Sequence, residues 1–358
     1  MGALEKMNLN FYNGKKVFIT GHTGFKGTWL SRILLQAGAD LTGYALEPPT
    51  TPSLFVKSGT ENDMHSIIAD VRNCDLLVKA VQEAKPDIVF HLAAQPLVRF
   101  SYQQPAATYE VNVMGSVNML EAVRLTSSVK SFVNVTTDKV YENKEWHWGY
   151  RETENLCGYD PYSNSKSCSE LVTHSYGNSF FTDNDTSAVS TARSGNVIGG
   201  GDYAADRIIP DCIRAMEAGA EIVVRNPHSV RPYQHVLECL SGYLLLAEKQ
   251  YGNKTIEGAY NFGPNDENCV ATETLVNLFC ETWGQGAAWH VQGDAGPHEA
   301  NFLKLDCSKA KTVLGWKSYW DIKTAIKATV EFAKAATDNE RTTCMDRQIQ
   351  EYFGGFNV

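Results

Sequence analysis

The sequence has no apolar run of the roughly 20 residues that crossing a bilayer takes. Its N-terminal stretch, MGALEKMNLNFYNGKK, has no apolar centre of the kind a secretion signal carries. The expectation is a cytoplasmic protein with no membrane partner. Positive charge is in deficit, with 32 Lys and Arg against 41 Asp and Glu and a formal net charge of −9. A general nucleic-acid binder has the opposite balance, so no nucleic-acid partner is expected. Any anionic ligand must be held by local donors. Cysteine pairing patterns are missing too: the chain has nine cysteines, an odd number, none in C-x-x-C spacing. That argues for free thiols in a reducing compartment, and no metal site is expected. Internal repeats, low-complexity segments and an obvious linker are also absent.

What is present is material for a large core: 358 residues, 43% of them apolar. Short β-branched runs alternate with longer amphipathic patterns. KVFIT (Lys16 to Thr20), DLTGYAL, SIIAD, DIVFHLA, SFVNVT and SAVSTAR read as strands. CDLLVKAVQEA and EVNVMGSVNMLEAVRLT read as helices between them. This rhythm predicts βαβ units and a Rossmann-type, doubly wound parallel sheet of the α/β class. It changes near Gly195, where SGNVIGGGDYAADRIIPD reads as loop until Ile208. Mixed short elements follow, with a last helical pattern from about Asp321 to Ala336. The expected division is a dinucleotide-binding part, residues 1–194 with about 235–263 returning to it. Residues 195–234 and 264–358 form a smaller, interleaved substrate-binding region.

Directly after the first strand comes TGHTGFKGTWL, with Gly21, Gly24 and Gly27 in G-x-x-G-x-x-G spacing. Glycines there allow a tight turn and let a pyrophosphate approach the N–H groups of a helix N-terminus. A glycine triplet alone is weak, since turns favour glycine anyway. Its place between first strand and first helix makes Gly21, His22, Thr23, Gly24, Phe25, Lys26 and Gly27 cofactor candidates. Glu47 lies about twenty residues beyond, where a ribose-binding acid belongs, though a solvated loop residue reads the same way. No Arg or Lys occurs between Ala45 and Val56, which favours NAD over NADP. Asp70 and Val71 at the end of the third strand are candidates for the adenine side, with an ordinary helix cap as the plain alternative for Asp70. Leu92, Ala93, Ala94 and Gln95 end the fourth strand with small residues against which a flat cofactor can lie.

DPYSNSKSCSEL holds Tyr162 and Lys166 in Y-x-x-x-K spacing, one face of a predicted helix. A nearby ammonium lowers a phenol's pKa, and the phenolate can take the proton of a sugar hydroxyl as hydride leaves the same carbon. Tyr and Lys four apart occur on many surface helices. Here the pair follows a glycine-rich first turn and a fifth strand that ends in TTD, and that order gives it meaning.

With these motifs in place, the chain resembles the extended short-chain dehydrogenases/reductases over nearly its whole length, through ARSGNVIGGGD to LKLDCSKAKTVLGW. Within them it resembles the nucleotide-sugar 4,6-dehydratases, and GHTGFKG, TTDKVY and SVRPYQHVLE are similar to the branch that acts on CDP-glucose. The resemblance implies a hydro-lyase with retained NAD. Hydride leaves C4 of the sugar, the resulting ketone acidifies C5–H, water leaves from C6, and hydride returns to C6. It implies Tyr162 as the base at the C4 hydroxyl, Lys166 as its tuner, Thr137 as a bridge to the C4 oxygen and Asp138 as the acid at C6. Lys139 stands where dTDP-glucose relatives carry glutamate. It is either a neutral base at C5 or a cation that stabilises the enolate, against a plain reading as a solvated loop lysine.

For the substrate the resemblance implies Asn196 and Arg231 at the diphosphate, with Arg207, His298 and Glu299 as further candidates. It implies homodimerisation, or a dimer of dimers, through EVNVMGSVNMLEAVRL and the helix from Tyr162 to Phe180. It also implies a product destined for 3,6-dideoxyhexoses of a surface lipopolysaccharide. Arg99 departs from the dTDP-glucose pattern, which has an acid there. Trp146 and Trp148 read as part of a packed hairpin. The rival activities are a nucleotide-sugar 4-epimerase, a dehydratase for another base, and a non-catalytic NAD(H) sensor. An epimerase loses no water and needs no acid at Asp138, and a sensor needs no proton-transfer groups.

Overall fold

A computed structural model describes residues 7–284, 286–293 and 302–354. Its centre is a seven-stranded, all-parallel sheet. The first six strands are β1 (Lys16–Thr20), β2 (Asp40–Ala45), β3 (His65–Ile68), β4 (Ile88–His91), β5 (Ser131–Val135) and β6 (Ala188–Ser194). A seventh, Ala259–Phe262, joins the edge beside β6, so the order runs β3-β2-β1-β4-β5-β6 and then the seventh. Strand direction of travel reverses between β1 and β4, and ligands of such sheets bind at the carboxyl ends there.

Side-chain alternation builds the two faces. Val17, Ile19, Phe90, Val133 and Val135 pack with Trp29, Leu30 and Ile33 of α1 (Phe25–Gln36) and with the helix Val236–Gly252. Phe18, Val89 and Phe132, one step out of phase, pack with Leu77, Met119 and Leu120 of Cys74–Ala84 and Gly115–Arg124. Each fully buried residue of this size contributes about 1.5–3 kcal/mol of burial, which is why register is specified so firmly.

Beyond β6 a separate core forms from Ile209, Cys212, Ile222, Val224, Leu275, Phe279, Ile322 and Ile326. It draws on the helices Ile208–Glu217, Thr272–Trp283 and Ile322–Lys334. The chain does not end its helical structure near Ala336. A further helix, Asp338–Phe353, begins at a capping box between Thr337 and Glu340. It buries Met345, Ile349, Tyr352 and Phe353 against the first face of the sheet domain. Among the described residues no helix is long and apolar enough to cross a membrane.

Candidate active site

β1, β4, β5 and β6 end at Thr20, His91, Val135 and Ser194, and the candidate residues follow directly. After β1, Gly21 turns with φ +79°, and a Cβ there would stand 2.8 Å from the Ala93 nitrogen. A Cβ on Gly27 would stand 2.1 Å from the Gly21 carbonyl oxygen. The N-cap of α1 is Gly24, which offers no side chain, and its first turn holds no acid. The first-turn N–H groups are therefore open to an anion. His22 and Thr23 hold the turn in place: His22 Nε2 lies 2.7 Å from Ser66 Oγ, and Thr23 donates to the Leu46 carbonyl at 2.9 Å. Burial takes the His22 imidazole down to about 4, so it is neutral near pH 7. The Leu92 and Ala93 N–H groups both donate to Thr20 Oγ1 at 3.1 Å. Gln95 spends its amide on the Leu97 carbonyl and Thr108. Ala93 and Ala94 are left as a low wall beside the glycine turn.

After β5 the backbone passes through Thr136 into a short turn, Asp138–Val140. Thr137 Oγ1 caps the Lys139 N–H at 3.4 Å and donates to Asp138 Oδ1 at 3.0 Å. Lys139 Nζ approaches the same oxygen at 3.6 Å. Asp138 is fully buried, and its Oδ2 has no hydrogen-bond partner. That oxygen lies close to Gly195, 3.1 Å from where a Cβ would stand. A buried, unpaired carboxylate oxygen costs about 1–3 kcal/mol, more for a charged group, and marks a place reserved for function.

The helix Pro161–Phe180 supplies the other half. Asp160 caps it by accepting from the Ser163 N–H at 3.0 Å, and Pro161 sits at its first position. The small side chains of Ser163, Ser165, Ser167 and Ser169 let this helix come close to β5 and the turn. Its Tyr162 hydroxyl faces the Thr137 hydroxyl. Burial pushes the Tyr162 phenol up to about 12, the Thr137 hydroxyl opposing and Asp138 reinforcing. Lys166 Nζ donates to the Val135 carbonyl at 3.1 Å. Burial, then the neighbouring Lys26 ammonium, bring Lys166 down to about 8, Glu170 opposing. The lowered phenol expected from the Tyr-Lys spacing is thus not what the protein alone provides. Desolvation of the phenol outweighs an ammonium that is engaged by a carbonyl.

A family model described as GDP-mannose 4,6 dehydratase matches residues 18–329. The chain belongs to that family. CDP-glucose 4,6-dehydratase of Salmonella typhimurium is 49% identical over 96% of this chain and 97% of its own length. A dTDP-glucose 4,6-dehydratase of Streptomyces antibioticus is 28% identical, over 88% of this chain and 91% of its own. Among solved structures, UDP-glucuronic acid 4-epimerase from Bacillus cereus, with UDP-glucuronic acid and NAD, superposes with a TM-score of 0.77 at 21% identity, covering 89% of this chain and 98% of that one. dTDP-glucose 4,6-dehydratase from Bacillus anthracis, with NAD, gives 0.73 at 21%, covering 88% and 95%. At these identities the structures speak for the fold.

The remaining candidates of this family member fall around the site with different standing. β3 ends at Ile68, and Asp70 lies in the turn beyond it, paired with Arg72 at 2.6 Å. The cap of the next helix is Asn73, not Asp70. Val71 is buried against Gly115. Glu47 is exposed on the rim of a cleft with Phe55, Glu61 and Ser66. The Asn196 carbonyl accepts from the Gln234 N–H at 3.0 Å, which joins the segment after β6 to the SVRPYQH stretch. Arg231 is buried there, and Arg207 pairs with Asp202 at 2.9 Å while its charge reaches Tyr162. Arg99 meets Asp206 at 4.0 Å. Trp146 packs on Tyr150 in a loop closed by the Tyr141–Leu156 bridge, and Trp148 is exposed. His298 and Glu299 lie outside the described residues.

Sequence reasoning missed a buried ion pair beneath the turn. Arg193 donates to both Glu170 oxygens at 2.9 Å, and Thr136 and Thr191 donate to the same carboxylate. Burial works to raise Glu170, but the Arg193 guanidinium and the two hydroxyls override it and hold the carboxyl below its ordinary range. The signal was available: Glu170 is four residues after Lys166 on the same helix face.

Proposed function

We propose that this protein dehydrates CDP-D-glucose to CDP-4-keto-6-deoxy-D-glucose with NAD as a retained cofactor. The observation that carries the reading is the Thr137–Asp138–Lys139 turn beside Tyr162, where a buried carboxylate keeps one oxygen unpaired. The 49% identity to a CDP-glucose 4,6-dehydratase supports the base and the sugar. The glycine turn fits a dinucleotide, since no Cβ, cap or carboxylate occupies the open end of α1. Gly21 to Phe25, Gly27, Asp70, Val71 and Leu92 to Gln95 would hold it, while the Lys26 ammonium turns away to Ser194.

Bound NAD supplies the hydride acceptor for C4, the donor for C6 and a positive ring that favours the phenolate. Tyr162 takes the C4 hydroxyl proton, through or beside Thr137. The C4 ketone acidifies C5–H. Asp138 and Lys139 then share one mobile proton. Lys139 as amine takes the C5 proton, and Asp138 as acid gives its proton to the C6 hydroxyl, which leaves as water. The pair ends as carboxylate and ammonium, the ion pair seen at 3.6 Å.

Asn196, Arg231 and Arg207 are assigned to the diphosphate, with His298 and Glu299 kept as further candidates, since guanidinium forks suit phosphate oxygens. Residues 1–194 with 235–263 are assigned to NAD, the remainder to the nucleotide sugar. Met114, Leu171 and Phe180 are about half exposed on the two helical segments expected to pair, which supports a homodimer. A monomer mass by light scattering would remove that part. A cytoplasmic location and a product destined for lipopolysaccharide 3,6-dideoxyhexoses complete the reading. All nine cysteines are unpaired, which supports the location.

The test is incubation with NAD and, separately, CDP-, dTDP-, UDP- and GDP-hexoses, followed by product mass. Loss of one water from CDP-glucose is expected. An isomerised sugar of unchanged mass would make the protein an epimerase, and no change in any sample would favour the sensor.

A further inference from the structure

The glycine-rich turn carries one side chain that leaves the dinucleotide cradle. Lys26, in the first turn of α1, extends to the end of β6, where Nζ donates to Ser194 Oγ at 2.9 Å and lies 3.5 Å from the Tyr243 hydroxyl. Tyr243 donates to the same serine oxygen at 2.7 Å. The charges of Arg207, Asp138 and Lys139 and the Cys239 thiol act on the ammonium, and its field reaches Lys166. A part-buried ammonium costs stability that a methionine of similar length would not, so packing alone does not account for a lysine. Ser194 is the last residue of β6, and the next residue, Gly195, is the one that approaches Asp138 Oδ2.

We propose that Lys26 is a positioning residue of the reaction centre: its ammonium ties the dinucleotide turn to the end of β6 and supplies positive potential behind Asp138 while negative charge builds on the sugar. This rests on the dehydratase reading above. A fixed cation in a dry site stabilises a forming enolate without touching it, because the local dielectric is low. Burial lowers the pKa of Lys26, with Cys239 and Asp138 opposing and Arg207 and Lys139 reinforcing. Its charge in turn makes the Lys166 proton easier to lose, while Glu170 works against this.

The test compares full-length wild type, K26M and K26R with bound NAD, measuring CDP-glucose turnover across pH. K26M is expected to lower kcat about tenfold or more, with KM and nicotinamide content unchanged. Removing a neighbouring cation raises the pKa of Lys166, so the alkaline limb of kcat moves to higher pH by about half a unit. K26R is expected to restore most of the rate and the wild-type limb. An unchanged kcat and limb in K26M, or a rate loss recovered by added NAD, overturns the assignment. Should K26M prove insoluble, S194A removes the acceptor and keeps the charge. It is expected to lower kcat with NAD retained, and full kcat in S194A also overturns the assignment. A wild type that dehydrates no nucleotide sugar takes down the underlying reading, whereas an active wild type matched by K26M removes the role of Lys26 alone.

Discussion

Asp138 illustrates how much one side chain can be made to carry. One of its oxygens is shared between Thr137 and Lys139, and the other has no partner although the residue is fully buried. Replacing it with Asn keeps the shape and removes the proton donor. D138N is expected to retain oxidation at C4, visible as reduced-nicotinamide absorbance on adding CDP-glucose. Its water loss should fall by about 10²–10⁴-fold, the usual worth of a positioned acid. Water loss at the wild-type rate in D138N would assign the acid elsewhere. Of the two roles open to Lys139, that of a neutral base calls for a lysine buried among other cations. That environment belongs to Lys166, with the part-buried Lys26 near it, while the Lys139 side chain keeps 31% of its exposure and leans on Asp138. Spacing placed Lys139 beside the acid; only packing shows which ammonium is desolvated.

At the scale of an element, the glycine turn and α1 were readable from the sequence because their requirements are local. Gly21 needs φ +79°, and Gly27 leaves no room for a Cβ 2.1 Å from a carbonyl oxygen. G27A is expected to fold with a displaced turn and to lose bound nicotinamide, checked by the cofactor released on denaturing the purified protein. Wild-type cofactor content in G27A would show that the turn is not the pyrophosphate site. The helix Pro161–Phe180 was legible in the same way, from Asp160, Pro161 and the Y-x-x-x-K face. Its partner Arg193 was not, since a charged residue inside a buried strand announces a partner without naming it. The last helix, Asp338–Phe353, carries a capping box, but its polar composition hides a narrow apolar stripe whose worth depends on the surface it meets.

On the scale of the whole molecule, Glu238 fastens the C-terminal part to the sheet domain. It is fully buried on the helix Val236–Gly252 and accepts the N–H groups of Tyr319 at 3.0 Å and Trp320 at 2.6 Å. Burial raises its carboxyl from 4.5 to about 7, with the Trp320 N–H the main opposing contact. A raised acid binds more protons folded than unfolded between those values. Its contribution to stability is therefore full below pH 4.5 and is lost as pH rises through about 7. The difference in Tm between wild type and E238Q is expected to shift against wild type across that window. A pH-independent difference would show that Glu238 does not titrate there.

The sequence alone determined what acts within a few residues: strand and helix order, the glycine turn, the Thr137–Asp138–Lys139 and Tyr162–Lys166 spacings, and the two-residue alternation that assigns each strand face. These follow from backbone sterics and helical or pleated periodicity, which any local segment obeys. The tertiary structure alone decided which charges meet across long separations. Lys26 reaches Ser194, Glu170 takes Arg193, and Glu238 catches Tyr319 and Trp320. Such pairings depend on how layers stack and which groups lose water, and neither is written in the spacing of residues along the chain.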